Sequence, residues 1–414
     1  MTQYTNWAGN IQFKPKQWHE PRTIEELQHI VKNAKKLRVV GTGHSFNSIS
    51  VCREEIVSLH HFNKLIELNT EEQTVTIEAG MKYSELSKIL MNKGFAIHNL
   101  ASLPHISVAG AIATATHGSG NKNKSLASII TAFELINANG DIIHITRENE
   151  ARFDGMIVHL GALGIVTKLT LEIVPEFTIR QYVYENLPID SVQRHFDSIY
   201  ASAYSVSLFT NWETNTINQV WLKQKVEDSK VEDLFGAILS EKKLHPITGI
   251  DPIHCTDQLG IEGKWYDRLP HFRMDFTPSS GDEIQSEYII SKKDAPHAIK
   301  EIQTIGQQLS SLLHTSEIRS IAQDNLWLSP YYKRDSIGLH FTWKDDWDNV
   351  QRMLPVLESV LKPFRPRPHW GKVFTLDKEE IQSQYEMLPK FRELLTEYDP
   401  NGKFQNDFIN TYIF

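Results

Sequence analysis

Val39-Val40-Gly41-Thr42-Gly43-His44-Ser45-Phe46-Asn47 is an apolar run that ends in a glycine-rich turn carrying one histidine. Glycines at 41 and 43 let backbone N–H groups converge on an anion, which makes the turn a candidate phosphate cradle. His44 then stands at the rim of whatever the loop holds. The pattern is not a Rossmann fingerprint: Phe46 occupies the third glycine's place, and a helix precedes the strand instead of following the loop. An isolated Gly-x-Gly-His also reads as an ordinary tight turn with a solvated histidine. The segments on either side decide between the two.

Upstream, Thr23 and Glu26 form a capping box, and Leu27, Ile30, Val31 and Ala34 recur at helical spacing, so a helix leads into a strand at Leu37–Val40. Downstream, Val75, Ile77 and Ala79 alternate as in a strand, and Tyr83, Leu86 and Leu90 resume helical spacing up to Gly94. The unit is mixed α+β. From Ala101 the chain reads Ala-Ser-Leu-Pro-His-Ile-Ser-Val-Ala-Gly-Ala-Ile-Ala-Thr-Ala-Thr-His-Gly-Ser-Gly. Such small residues offer little area for a core helix but suit backbone lying against a large planar or phosphorylated ligand. Ile106, Val108 and Ile112, interleaved among them, argue against a flexible linker.

These two segments, with Asn6-Trp7-Ala8-Gly9-Asn10, Leu163-Gly164-Ile165-Val166-Thr167 and the final Asp399-Pro400-Asn401-Gly402-Lys403-Phe404, resemble the vanillyl-alcohol-oxidase superfamily along the full chain. Within it the sequence is most similar to the alditol (xylitol) oxidases, neighbours of the sugar-lactone oxidases. The resemblance implies a two-domain α+β flavoprotein. Its FAD-binding domain would span 1–176, a β-sheet substrate domain 177–375, and residues 376–414 would return to the first domain. It also implies that His44 carries the flavin covalently and that Gly41, Thr42, Gly43, His44 and Ser45 wrap the pyrophosphate. Ser107, Gly110, Thr114, Ala115, Thr116 and His117 would line the cofactor, and Ile165 would meet its adenosine half with backbone. The chemistry agrees, since phosphates take backbone N–H donors and flat rings tolerate only small neighbours. His105 reads as a satisfied buried histidine beside Pro104.

Asn139-Gly140 is a strong hairpin signal between segments 134–138 and 141–146, and a strand over 165–174 closes this region. After Pro175 the texture turns β-rich, as at 204–209 and 218–222. A helical pattern spans 295–313. In the run from Ile337 to Trp343, Ile337, Leu339, Phe341 and Trp343 share one face, while His340 and Thr342 share the other; Glu317 and Arg319 project together in the same way. Read from residues alone, such pairs make a solvated outer face with a weak ion pair. The resemblance makes them a substrate-site sheet, with Glu317 and Thr342 bonding hydroxyls and Arg319 near the flavin. It also sets Lys372 near the flavin pyrimidine ring and Ser102 in contact with both cofactor and substrate. The acceptor of the hydroxyl proton stays open; His340 alone of the set has an unperturbed pKa near neutrality.

Composition narrows the function classes. With 40% hydrophobic and 23% charged residues the chain is globular, and its net charge of -8 argues against a nucleic-acid surface. Two cysteines, Cys52 and Cys255, supply neither a disulfide framework nor metal-ligand spacing, so no metal is expected and a reducing compartment is. No apolar run approaches the ~18–20 residues of a membrane span, and the first ten residues lack signal-peptide character. The expectation is a cytoplasmic, monomeric FAD-dependent oxidase. It would turn the terminal primary hydroxyl of a polyol such as xylitol or sorbitol into the aldose, with O2 reduced to H2O2. The rivals are a sugar-1,4-lactone oxidase or dehydrogenase on the same scaffold and, in another class, a non-catalytic carbohydrate-binding protein.

Overall fold

Helix Ile24–Asn33 starts where its capping residues place it: Thr23 Oγ1 accepts from the Glu26 N–H at 3.2 Å, and the Glu26 carboxylate accepts from the Arg22 N–H at 2.7 Å. Leu27 and Val31 on its inner face are fully buried. The helix delivers the chain into strand Leu37–Val40, which lies parallel to Glu55–Ser58; Gln17–His19 completes a three-stranded sheet. The computed structural model describes residues 4–276 and 283–414.

A second, antiparallel sheet has the order Ile142–Thr146, Ile130–Ile136, Ile165–Glu172, Thr74–Glu78, Leu65–Asn69. Its first two strands are the hairpin read from Asn139-Gly140, with Gly140 at φ +82° and Asn137 Oδ1 accepting from the Asn139 and Asp141 N–H groups at 2.9 Å. The small-residue run departs from expectation, because Val108–Ala113 within it is helical. Val108, Ala111 and Ile112 bury inward, so even a short helix finds enough apolar contact when its other side chains are small.

Among the described residues the large sheet holds nine strands. Its central antiparallel order is Thr178–Pro188, Thr216–Lys225, Ser205–Thr210, Leu313–Ile321, Ser336–Lys344, Glu283–Ser291. Helices Ala295–Thr304 and Trp347–Leu361 pack together, and Tyr288 on the sheet donates to Glu358 of the second helix at 2.7 Å. The expected single helical run over 295–313 is corrected. It breaks at Ile305, resumes as Gly306–Ser310, and gives way to a strand at Leu313. Gly306 sits against the carbonyl of Trp212, where a Cβ would clash.

Period-two alternation sends Ile337, Leu339, Phe341 and Trp343 into the core, each at most 1% exposed. Register then aligns the opposite face in rows. Glu287, His340 and Glu317 stand side by side, with Gln285, Thr342 and Thr315 in the row above and Gly338 beside Arg319 below. The last segment packs on the part of the chain before Pro175: Leu388–Tyr398 against Phe153–Met156, and Asp407–Tyr412 against Ser48–Ser50. Among the described residues no helix is long and apolar enough to cross a membrane.

Candidate active site

The glycine turn is held from outside. The Trp7 N–H donates to Gly43 O at 2.7 Å, Asn6 Nδ2 to Ser45 O at 2.9 Å, and the Phe46 N–H to Gly371 O at 2.8 Å. Asn47 Nδ2 donates to Trp370 O and Lys372 O at 2.8 and 2.7 Å. These bonds tie the turn to the segment after strand Arg367–Pro368 while leaving its remaining N–H groups free to meet an anion. Thr42 Oγ1 accepts from the Ser107 N–H at 3.2 Å and lies 2.9 Å from His44 Nδ1. His44 stacks on Trp7, with ring centroids 5.2 Å apart. Burial, then the nearby charge of Lys372, pushes its pKa down to about 4, so the imidazole is neutral near pH 7.

The polar rows of the large sheet are buried. Glu317, Arg319, His340 and Thr342 are between 5% and 8% exposed, which rules out the solvated face that their alternation alone suggested. Arg319 Nη2 donates to Glu287 Oε1 at 3.0 Å and Nη1 to Ser102 Oγ at 3.3 Å, while Nε lies 3.5 Å from Glu317 Oε2. His271 Nε2 is 2.7 Å from Glu317 Oε1, and the backbone N–H of His271 donates to Ser102 O at 3.3 Å. Burial alone would raise both carboxyls. Arg319 and His271 outweigh it at Glu317, and His117, Arg319 and His340 do so at Glu287, so both stay ionised below the usual carboxylate range. Lys372 Nζ bonds Gln285 Oε1 and lies 4.8 Å from the Phe46 ring centroid; burial pushes it down to about 8.

One cavity of about 790 Å³ joins the two regions. Every candidate residue read from the sequence lines it except Ala115 and Ile165. Ala115 is fully buried at φ +55°, between Thr114 and Thr116, which do face the cavity. Ile165 is also fully buried and pairs with Ile136; the wall there is Leu160, Gly161 and Val166. His105 does not line the cavity and instead reaches Phe276 O at 2.5 Å. The sequence reading missed Glu287, Gln285, His271 and His369, all of them lining residues.

The residues suit FAD. The volume is that of a cofactor site, and the wall beside the glycine turn is Ser107, Ala109, Gly110, Ala111 and Ala113. A Cβ at Gly41 would overlap the Ser107 hydroxyl. The cations Arg319 and Lys372 line the same cavity.

Comparison with known proteins agrees. Residues 15–146 match the FAD binding domain family, and residues 280–412 match the D-arabinono-1,4-lactone oxidase family. Among solved structures, cholesterol oxidase from B. sterolicum superposes with a TM-score of 0.78 at 16% identity, covering 99% of this chain and 96% of that one. Glucooligosaccharide oxidase from Acremonium strictum, described with a 6-S-cysteinyl, 8α-N1-histidyl FAD, gives 0.74 at 15% identity over 97% and 93%. At these identities the likeness shows the fold, that of vanillyl-alcohol-oxidase-type flavoproteins. The alditol oxidase of Streptomyces sp. (strain IKD472 / FERM P-14339) is 42% identical over 411 residues, 99% of this chain and 98% of that protein. A match of that extent, on a fold whose cavity is built for FAD, means that the chain belongs to the alditol oxidase family of FAD-dependent flavoproteins.

Proposed function

We propose that the protein is an FAD-dependent oxidase that converts the terminal primary hydroxyl of an open-chain polyol, of the xylitol or sorbitol type, to the aldose. The observation that carries this reading is the single cavity shared by the glycine turn and the buried Glu317, Arg319, His340, Thr342 and Lys372. Gly41, Thr42, Gly43, His44 and Ser45 would wrap the pyrophosphate, and Ser107, Gly110, Thr114, Thr116 and His117 would line the cofactor. Bound there, FAD would supply a two-electron acceptor for the substrate hydride, with O2 as the final oxidant and H2O2 as its product. We assign the covalent link to His44, whose neutral imidazole keeps a lone pair for bond formation. Ser102, Glu317 and Thr342 would bond successive hydroxyls, and Arg319 and Lys372 would offset the negative charge that reduction brings. On this reading residues 1–176 and 376–414 hold the cofactor and 177–375 the substrate. We also assign a cytoplasmic monomer; Cys52 and Cys255, buried free thiols, fit a reducing compartment.

The second reading, a sugar-1,4-lactone oxidase, is favoured by the lactone oxidase family match over residues 280–412. A site built to bond hydroxyls leaves its buried polar groups unpaired on analogues that lack them, and rejects those by about 10⁴-fold in favourable cases. The test compares kcat/KM for xylitol, sorbitol, a short alcohol and an aldono-1,4-lactone, with H2O2 release measured in parallel. Polyols should lead and the short alcohol should trail. Efficient lactone oxidation with poor polyol turnover would install the second reading.

A further inference from the structure

Glu287 stands in strand Glu283–Ser291, opposite His340 in the sheet, and is 2% exposed. Its carboxylate meets three of the site's side chains. Oε1 lies 2.8 Å from His117 Nε2 and accepts from Arg319 Nη2 at 3.0 Å, and Oε2 lies 3.2 Å from His340 Nδ1. An ionised carboxylate only accepts, so Nδ1 of His340 must carry the hydrogen, and the lone pair of the neutral ring falls to Nε2. That nitrogen lies 3.3 Å from Thr342 Oγ1, and both residues line the cavity.

The other groups at the site are committed. His117 Nδ1 lies 2.7 Å from Gly118 O while its Nε2 faces Glu287, so both ring nitrogens meet acceptors. His271 turns Nε2 to Glu317 and Nδ1 to Lys223 Nζ at 3.2 Å. His369 Nδ1 accepts from the Gly371 N–H at 3.1 Å, and Glu317 is held ionised by Arg319 and His271.

We propose that Glu287 is a positioning residue for the oxidation: it fixes His340 as the Nδ1–H tautomer, so that Nε2 takes the hydroxyl proton of the substrate. The inference rests on the oxidase function proposed above. The carbinol C–H bond breaks with its electron pair passing to the bound flavin, the O–H bond breaks with its proton passing to His340 Nε2, and the C–O bond becomes the carbonyl. The proton then leaves with the oxygen product, so RCH2OH and O2 give RCHO and H2O2.

The groups facing His340 are Glu287 on one neighbouring strand, Glu317 and Arg319 on the other, Lys372 and His369 beyond Arg367–Pro368, and His117 behind Glu287. Burial lowers the proton affinity of His340, with Lys372 and Arg319 adding to it, whereas Glu287 raises it. Neutral His340 therefore acts above its pKa, and the rate falls toward acid. Removing the charge of Glu287 takes away the upward pull and moves that acid limb to lower pH.

The experiment follows anaerobic flavin reduction by the polyol against pH in wild-type and Glu287→Gln holoenzymes of matched flavin content. Expected are a loss of about 10²-fold in reduction rate, the scale of misplaced proton transfer, a KM changed by less than about threefold, and an acid limb displaced downward. A rate within about threefold of wild type with an unmoved limb overturns the role of Glu287. If wild type oxidises neither polyols nor lactones, the proposed function fails instead. A second measurement does not depend on the variant folding: ¹⁵N-histidine NMR of wild-type holoenzyme, with the His340 signal assigned by its loss in His340→Gln. A protonated Nδ1 with an unprotonated Nε2 near neutral pH is expected, and the reverse tautomer or an imidazolium overturns the proposal.

Discussion

A buried imidazole that has lost its charge keeps a lone pair, and at His44 that single fact links burial to chemistry. With its pKa pushed down to about 4, His44 stays neutral at any pH above that value, and attachment of flavin should be insensitive to pH between about 5 and 8. The expected outcome is yellow colour that survives acid precipitation and follows the tryptic peptide containing His44. For His44→Ala we expect residual FAD that washes into the acid supernatant. Flavin released from wild type by acid would dismiss the link. His44 was legible in the sequence because its glycine neighbours flag an unusual backbone, and Gly43 indeed has φ +69°. His271 was not legible, since it lies in no regular element and reaches Glu317 and Ser102 only through long-range contacts. Glu287 and Gln285 carried a usable signal that was not applied to them. They alternate with Ile284, Ser286 and Tyr288 in the same two-residue period that exposed Glu317 with Arg319 and His340 with Thr342.

At the scale of the element, three strands in register turn separate sequence pairs into one buried polar cluster, and a glycine makes room for it. A Cβ at Gly338 would lie 2.9 Å from Glu287 Oε1 and 3.4 Å from His117 Cε1. Glu287 cannot swing away without leaving Arg319, His117 and His340, so Gly338→Ala should cost about 1–3 kcal/mol of stability, the scale of overpacking, and lower turnover with flavin content unchanged. Denaturant unfolding of Gly338→Ala, Glu287→Ala and the double variant should give a coupling of about 1 kcal/mol or more, since removing the carboxylate removes the clash. Additive effects would show that the added methyl group disturbs something else. Strand alternation is a local property, so both faces of Ser336–Lys344 could be read from sequence. The break at Ile305 and the helix within the 101–120 run were hidden, because they answer to Trp212 and to the cavity, partners far away in the chain.

Across the whole molecule the cavity depends on a buried cation outside the catalytic set. Arg38 is 2% exposed, and its guanidinium donates to four carbonyls: Gly161 and Phe404 from Nη1 at 2.8 and 2.7 Å, Ile49 and Leu160 from Nη2 at 2.6 Å each. One side chain thus joins the strand before the glycine turn, a cavity-lining loop and the C-terminal segment. The backbone adds to this clamp, with the Leu37 N–H donating to Lys403 O at 2.9 Å and Asn406 Nδ2 to three carbonyls at 48, 49 and 51. Burial pulls the Arg38 pKa down only to about 10, so it remains charged at neutral pH. Arg38→Met keeps the length but strands four buried acceptors, each worth about 1–3 kcal/mol when unsatisfied, and Arg38→Lys cannot reproduce the planar fork. In both variants the C-terminal segment beyond about residue 376 should become cleavable by protease before the rest unfolds, and FAD retention should fall, because Leu160 and Gly161 belong to the cavity wall. Time-resolved proteolysis with mass spectrometry reads the first effect, and the flavin-to-protein absorbance ratio reads the second. Simultaneous loss of all segments in Arg38→Met, with flavin retained until that point, would mean that Arg38 supports the fold globally and does not clamp the C-terminal segment to the cofactor cavity.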